Sequence, residues 1–191
     1  MKREIIVTAH PYFLNFPAVN VFSGPTYGEE LTSRLPHTVA SIWGYVYCGD
    51  FDALYDALAA GSSIQRSQQS WPTGPWKGLD SRLIIDYGKL VSGTCVSQNE
   101  KLAKVLHLGV QVRVMRPHRA ITAAMHSKTL ILDCALAYLG SCNPSWNGVN
   151  RNTEDVVRTI EVSAVMELIL MFLQRWDAAT PLDPQYLEHL A

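Results

Sequence analysis

Apolar and polar positions alternate along the chain in blocks of two kinds. Val39–Tyr47 (VASIWGYVY) and Arg82–Tyr87 (RLIIDY) are short runs rich in β-branched and aromatic residues, the pattern of buried strands. Val110–Met115, Lys128–Leu132, Ala135–Leu139 and Asp155–Ile160 continue the series, and Ile5–Thr8 is a further short β-branched run. Between them lie stretches of helical period. Gly28–Arg34 predicts a short helix before Pro36, and Asp50–Ala60 a helix that Gly61 should cap. Asn99–Leu108 gathers Leu102, Val105 and Leu106 on one face and should end at Gly109. Val162–Asp177 sets Val165, Leu168, Ile169, Phe172, Leu173 and Trp176 on one stripe, which suits a core or subunit face. Strands alternating with helices predict an α/β fold in which one mixed sheet is sandwiched by helices.

With 191 residues, of which 48% are hydrophobic and 17% charged, the chain has apolar surface for one buried core. A single domain over 1–191 is expected, with no repeat or linker. The polar segment Ser62–Gly78, which carries Trp71 and Trp76, is long for a loop in a compact domain. A net charge of −1 excludes a globally basic nucleic-acid-binding domain, so any polyanion site must be local. Arg113, Arg116, His118 and Arg119 offer such a patch around Pro117. No apolar tract is long enough for a signal peptide or a membrane span. Cys48, Cys95, Cys134 and Cys142 lack CxxC spacing, so reduced thiols in a cytoplasmic protein are expected, with neither a zinc site nor a disulfide framework.

The chemistry concentrates between residues 126 and 154. His126 and Lys128 are two apart, so an extended chain presents both on one face. Ser141 and Asn143 repeat that spacing if the chain stays extended through Gly140. An imidazole, an ammonium, a hydroxyl and an amide directed at one small volume suit an anionic phosphoryl group, with His126 as nucleophile or proton donor. Glu154 is the expected partner for the second imidazole nitrogen of His126. No carboxylate cluster for magnesium and no zinc spacing is present, so no metal or cofactor is expected.

His126-Ser-Lys128-Thr-Leu-Ile-Leu-Asp133, followed after six residues by Gly140-Ser-Cys-Asn143, resembles the H-x-K-x4-D-x6-G-S-x-N signature of the phospholipase D superfamily. Asn152-Thr-Glu154 resembles the downstream N-x-E element of that superfamily's short, single-motif bacterial endonucleases. The resemblance runs from about Thr38 to the final helix. It implies a phospholipase D-like fold and metal-independent cleavage of a phosphodiester through a phosphohistidine. One histidine attacks phosphorus, a second protonates the leaving oxygen, and water then releases the product. It also implies a structural role for Asp133. His10, His37, His107, His118 and His189 lack a following lysine at the right spacing, so the second histidine should come from another copy of the chain in a homodimer. The resulting expectation is a nuclease acting on DNA or RNA, with Arg113, Arg116 and Arg119 binding substrate and Trp71, Trp76 and Trp146 available for stacking. A lipid phosphodiesterase acting on cardiolipin or another phospholipid is the alternative, and a non-enzymatic nucleic-acid-binding subunit is a third.

Overall fold

The computed structural model describes residues 17–63, 79–116 and 124–188. Ile5–Thr8, Trp71, Trp76, His118 and Arg119, and most of the polar segment before Gly78, lie outside them. The strands are β1 (Val19–Ser23), β2 (Ser41–Val46), β3 (Asp80–Asp86), β4 (Gln111–Met115), β5 (Thr129–Leu132), β6 (Leu136–Gly140), β7 (Asp155–Thr159) and β8 (Thr180–Pro181). The helices are α1 (Gly24–Arg34), α2 (Asp52–Ser63), α3 (Tyr87–Val91), α4 (Val96–His107), α5 (Trp146–Asn150), α6 (Val162–Ala178) and α7 (Pro184–Glu188).

All eight strands form one sheet in the order β1-β7-β6-β5-β2-β3-β4-β8. β2, β3 and β4 are parallel to one another, joined by helical crossovers, and the remaining neighbours are antiparallel. The expected mixed sheet between helices is therefore the architecture present. Apolar residues fill both faces. On one, Leu31, Leu54, Leu58, Leu102 and Val105 of α1, α2 and α4 pack over Ile42, Leu83, Ile85, Leu130 and Leu132. On the other, the α6 stripe of Val165, Ile169, Phe172 and Trp176 covers Trp43, Tyr45, Ile84 and Ile131. Parallel strands covered on both sides need apolar residues at nearly every position, and all six residues of β2 are buried.

Two expected boundaries shift for local reasons. Gly61 does not cap α2, which continues to Ser63. A Cβ at Gly61 would collide with the Leu79 side chain, so this glycine serves a close helix–loop approach rather than a turn. Tyr87 does not end β3. Asp86 stops the strand by accepting a hydrogen bond from the Lys89 amide at 2.9 Å, which makes it the N-cap of α3.

A third expectation is overturned. Cys48 and Cys95 form a disulfide with their Cα atoms 6.2 Å apart. Their sequence separation of 47 hides the pairing from any reading of local spacing, and β3 with its flanking helices is what brings them together. Only Cys134 and Cys142 are free thiols. Disulfides persist in oxidising compartments, so the cysteines no longer argue for a cytoplasmic protein. Among the described residues no helix is long and apolar enough to cross a membrane.

Candidate phosphodiester site

The sheet topology collects the motif at one edge. β2 and β3 end there, β5 begins there, β6 ends there and β7 begins there, because Tyr45 lies opposite Thr129 and Gly140 opposite Val156. The approach of β6 to β7 is close enough that a Cβ at Gly140 would strike the Asp155 carbonyl oxygen. That contact explains the glycine of the GSCN segment, which turns out of the sheet directly after it.

Lys128 is only 8% exposed, and its ammonium donates to the His126 carbonyl at 2.8 Å. Burial pushes its pKa down, while the charge of Glu154 opposes the shift. His126 is exposed. Its ring meets the Tyr47 ring edge-on at 4.5 Å between centroids, and the Lys128 ammonium stands 4.9 Å from the centre of the same tyrosine. Strand alternation places the intervening Ser127 on the other side, where its hydroxyl accepts a hydrogen bond from Arg175 of α6 at 3.0 Å. Met125 and Ile131 pack on that α6 face, whereas Leu130 and Leu132 join the opposite core. The two-residue spacing of His126 and Lys128 is thus realised on one face, as a period of two requires.

Ser141 donates to the Glu154 carboxylate and accepts from the Asp155 amide at 3.1 Å. Asn152 donates to the other Glu154 oxygen at 3.1 Å. Glu154 is therefore held by Ser141 and Asn152, not by His126; no hydrogen bond joins the two in this single chain. The hairpin between β6 and β7 places the carboxylate beside the serine that leaves β6, and the expected Glu154–His126 contact is corrected accordingly. Asn143 has a buried side-chain oxygen with no hydrogen-bond partner among the described residues, so its amide is uncommitted. Between them the Cys142 thiol is buried, donates to the Asn143 carbonyl and has its pKa pushed up to about 12, by burial first and then by Glu154. It stays a neutral thiol.

Asp133 sits at the opposite edge of the sheet. Its carboxylate accepts from the amides of Val39, Ala40 and Ser41 at 3.1, 2.7 and 3.1 Å. It also stands in the left-handed region with φ 54°, next to Cys134 at φ 53°, in the tight connection from β5 to β6. Asp133 fastens the start of β2 to that hairpin and touches neither His126 nor Lys128 through any of these bonds.

The arginines separate. Arg113 points to α6: its guanidinium donates to the Trp176 carbonyl at 2.6 Å and lies 4.6 Å from the Trp176 ring centre. The expectation that it binds substrate is corrected, because it closes the C-terminal end of α6, where carbonyls need donors. Arg116 is exposed just past β4, at the motif's edge of the sheet, with its guanidinium 3.4 Å from the centre of the Tyr87 ring. Trp146, 49% exposed, carries the Arg151 guanidinium 4.6 Å from its ring centre.

Three residues at this edge escaped the sequence reading: Tyr47, Asp86 and Lys89. Lys89 places its ammonium 5.1 Å from the Tyr47 ring centre. Asp86, 2% exposed, accepts from the Met125 amide at 2.7 Å as well as from Lys89. An acid closing the apolar run RLIID was the available signal, since a buried carboxylate needs donors. Among the described residues no group of three or more His, Cys, Asp and Glu could hold a metal ion.

A protein-family model described as "Cardiolipin synthase, PLD-like domain" matches residues 76–176. Among solved structures the chain is similar to Nuc from Salmonella typhimurium, a phospholipase D family member, with 18% identity, TM-score 0.67, and coverage of 86% of this chain and 97% of that one. NucT from Helicobacter pylori gives 16% identity, TM-score 0.66, and coverage of 86% and 98%. Phosphatidylserine synthase from Haemophilus influenzae Rd KW20 gives 9% identity, TM-score 0.57, and coverage of 80% of this chain but 35% of that one. At these identities the likenesses are of fold. No curated protein matches the chain in sequence.

Proposed function

Because the chain belongs to the PLD-like domain family, we propose that it is a metal-independent nuclease that cleaves DNA or RNA through a phosphohistidine, in a site shared by two copies of the chain. The observation that carries this reading is one motif per chain on a minimal fold. The chain and the two short Nuc-type structures cover one another almost end to end, whereas the phosphatidylserine synthase chain is far longer than the matched part.

In the proposed reaction a ring nitrogen of His126 attacks phosphorus. The bond from phosphorus to the leaving oxygen breaks, and the partner copy's imidazolium protonates that oxygen. Water, deprotonated by the same partner imidazole, then attacks phosphorus, and the P–N bond breaks to return His126. Two displacements replace one harder step. Lys128 and the Asn143 amide meet the charge on the non-bridging oxygens from fixed positions, so little reorganisation is needed as it develops. The Glu154 carboxylate, anchored by Ser141 and Asn152, helps keep Lys128 protonated.

The family model's description gives a lipid substrate its own support. The test is an assay with EDTA present against single- and double-stranded DNA, RNA and cardiolipin vesicles. Nucleic-acid cleavage is expected, and loss of all turnover in His126→Ala. Release of phosphatidic acid from cardiolipin, with no cleavage of any nucleic acid, would replace the nuclease with a lipid phosphodiesterase. Mass in solution tests the shared site, since a fully active monomer contradicts it.

A further inference from the structure

Lys89 is half-buried, and its ammonium stands over the Tyr47 ring that also meets His126. Among the described residues no carboxylate lies within salt-bridge distance, although Lys101, Arg82, Arg34 and Arg158 each have one. The nearest acid in sequence, Asp86, spends its oxygens on the backbone amides of Met125 and Lys89. Among the described residues the Lys89 ammonium makes one side-chain hydrogen bond, a long one of 3.5 Å to the Thr94 hydroxyl.

Its position is nevertheless fixed. The one Asp86 carboxylate holds both the residue before His126 and the backbone of Lys89, so the two segments cannot shift independently. Cys48, directly after Tyr47, is bonded to Cys95, directly after Thr94. That bond ties the ring touching His126 to the loop touching Lys89. Tyr47 thus has His126 at 4.5 Å, Lys128 at 4.9 Å and Lys89 at 5.1 Å from its ring centre. Two ammonium groups gathered around one ring repel each other, and one of them belongs to the motif that meets the scissile phosphate. A cation whose backbone is anchored in this way, and which has no carboxylate partner among the described residues, is available to an incoming anion.

We propose that Lys89 is a second anion-binding residue of this site, taking a phosphate group that flanks the scissile phosphodiester. The proposal rests on the phosphodiester reading of His126 and Lys128. It adds that the substrate carries two neighbouring phosphates, as a nucleic-acid backbone does and as a phospholipid with two phosphodiesters does.

Pyrophosphate and orthophosphate, titrated calorimetrically into the oxidised protein, test it without turnover. Wild type should bind pyrophosphate more tightly than orthophosphate. Lys89→Gln should weaken pyrophosphate by roughly ten-fold, the loss of one charge-assisted contact, and orthophosphate far less, with the unfolding midpoint unchanged. Lys89→Arg should restore most of the difference. Unchanged pyrophosphate affinity, or an equal loss for both anions, overturns the proposal. Turnover separates the sources: Lys89→Gln should raise KM more than it lowers kcat on an oligonucleotide if the flanking phosphate is nucleic acid, or on cardiolipin vesicles if it is lipid. An effect on neither overturns the proposal. Absence of turnover in wild type would instead defeat the phosphodiesterase reading, and the calorimetric result would still decide the role of Lys89.

Discussion

Two groups of charges lie in this protein under different rules. Behind the sheet edge, Glu30 of α1 is surrounded by donors: Arg158 at 2.9 Å, Arg34 at 3.0 Å and the Tyr138 hydroxyl at 3.0 Å. At the motif, Lys128 is equally enclosed, yet its closest bond is to a backbone carbonyl and among the described residues no carboxylate lies within salt-bridge distance. The first group pairs its charges within the protein. The second is left short of negative charge, which the phosphoryl group of the proposed substrate would supply. Completeness of pairing separates the charges that hold the fold from those that act on a ligand.

Replacing Lys128 by Met tests that separation most severely. Turnover should fall by about four orders of magnitude, since the charge meeting the non-bridging oxygens is gone. The fold should become more stable, by about 1 kcal/mol, because an incompletely paired cation no longer has to be buried. Calorimetry checks the sign. Burial lowers the Lys128 pKa, so between its folded value and the ordinary lysine value the unfolded chain binds the proton more. Wild-type stability should rise with pH across that alkaline window, and the rise should vanish in the variant.

Glu30→Ala should do the reverse. Leaving Arg158 buried without its counterion costs about 3–5 kcal/mol, readable as a lower denaturation midpoint. For Glu30, burial raises the pKa, but the hydrogen bonds from Arg158 and Arg34 outweigh it and the net shift is downward. Its contribution is complete above the ordinary carboxylate value and is lost as the pH falls through the lowered folded value. Acid should therefore unfold wild type along a limb that Glu30→Ala lacks.

Reducing Cys48–Cys95 should cost about 2–4 kcal/mol of stability. Activity should decline at reductant concentrations where circular dichroism still reports a folded chain, because the bond braces Tyr47 and the loop beside Lys89. Simultaneous loss of both signals would show that the brace serves the fold alone. The smallest change is expected from Asp133→Asn. It keeps an acceptor for the β2 amides but gives up the charge, about 1 kcal/mol, and the pH profile of turnover should not move, since the residue lies at the far edge from His126.

What was legible in the chain was whatever rests on short spacing. His126 and Lys128 share a face because a strand has period two, and the α6 stripe packs because a helix has period 3.6. β2 from Ile42 onward and the middle of β3 are apolar in an unbroken run because both of their faces are covered. Contacts across many residues left no such trace. Cys48 and Cys95 are neighbours only through β3 and the helices that flank it. Tyr47 closes an apolar run and looks like one more core residue until the topology sets it against His126. Lys89 looks like a surface lysine until Asp86 is seen to start a helix there. Arg113 erred in the other direction: its proximity to Arg116 suggested a basic patch, but strand alternation turned it toward α6. Glu154 was placed in the right region but with the wrong partner, because the β6–β7 hairpin brings Ser141 to it first.

Ser127 separates His126 from Lys128 and faces the other way, into the grip of Arg175. The angle at which the imidazole is presented is thereby indexed to a helix on the back of the sheet. Arg175 also stands 5.1 Å from the centre of the Tyr45 ring, which packs on Phe172. If His126 is the nucleophile, as proposed, substitutions that change apolar volume along the inner stripe of α6 reach the reaction as a tilt of its ring, and the rate is adjustable from the far face of the sheet.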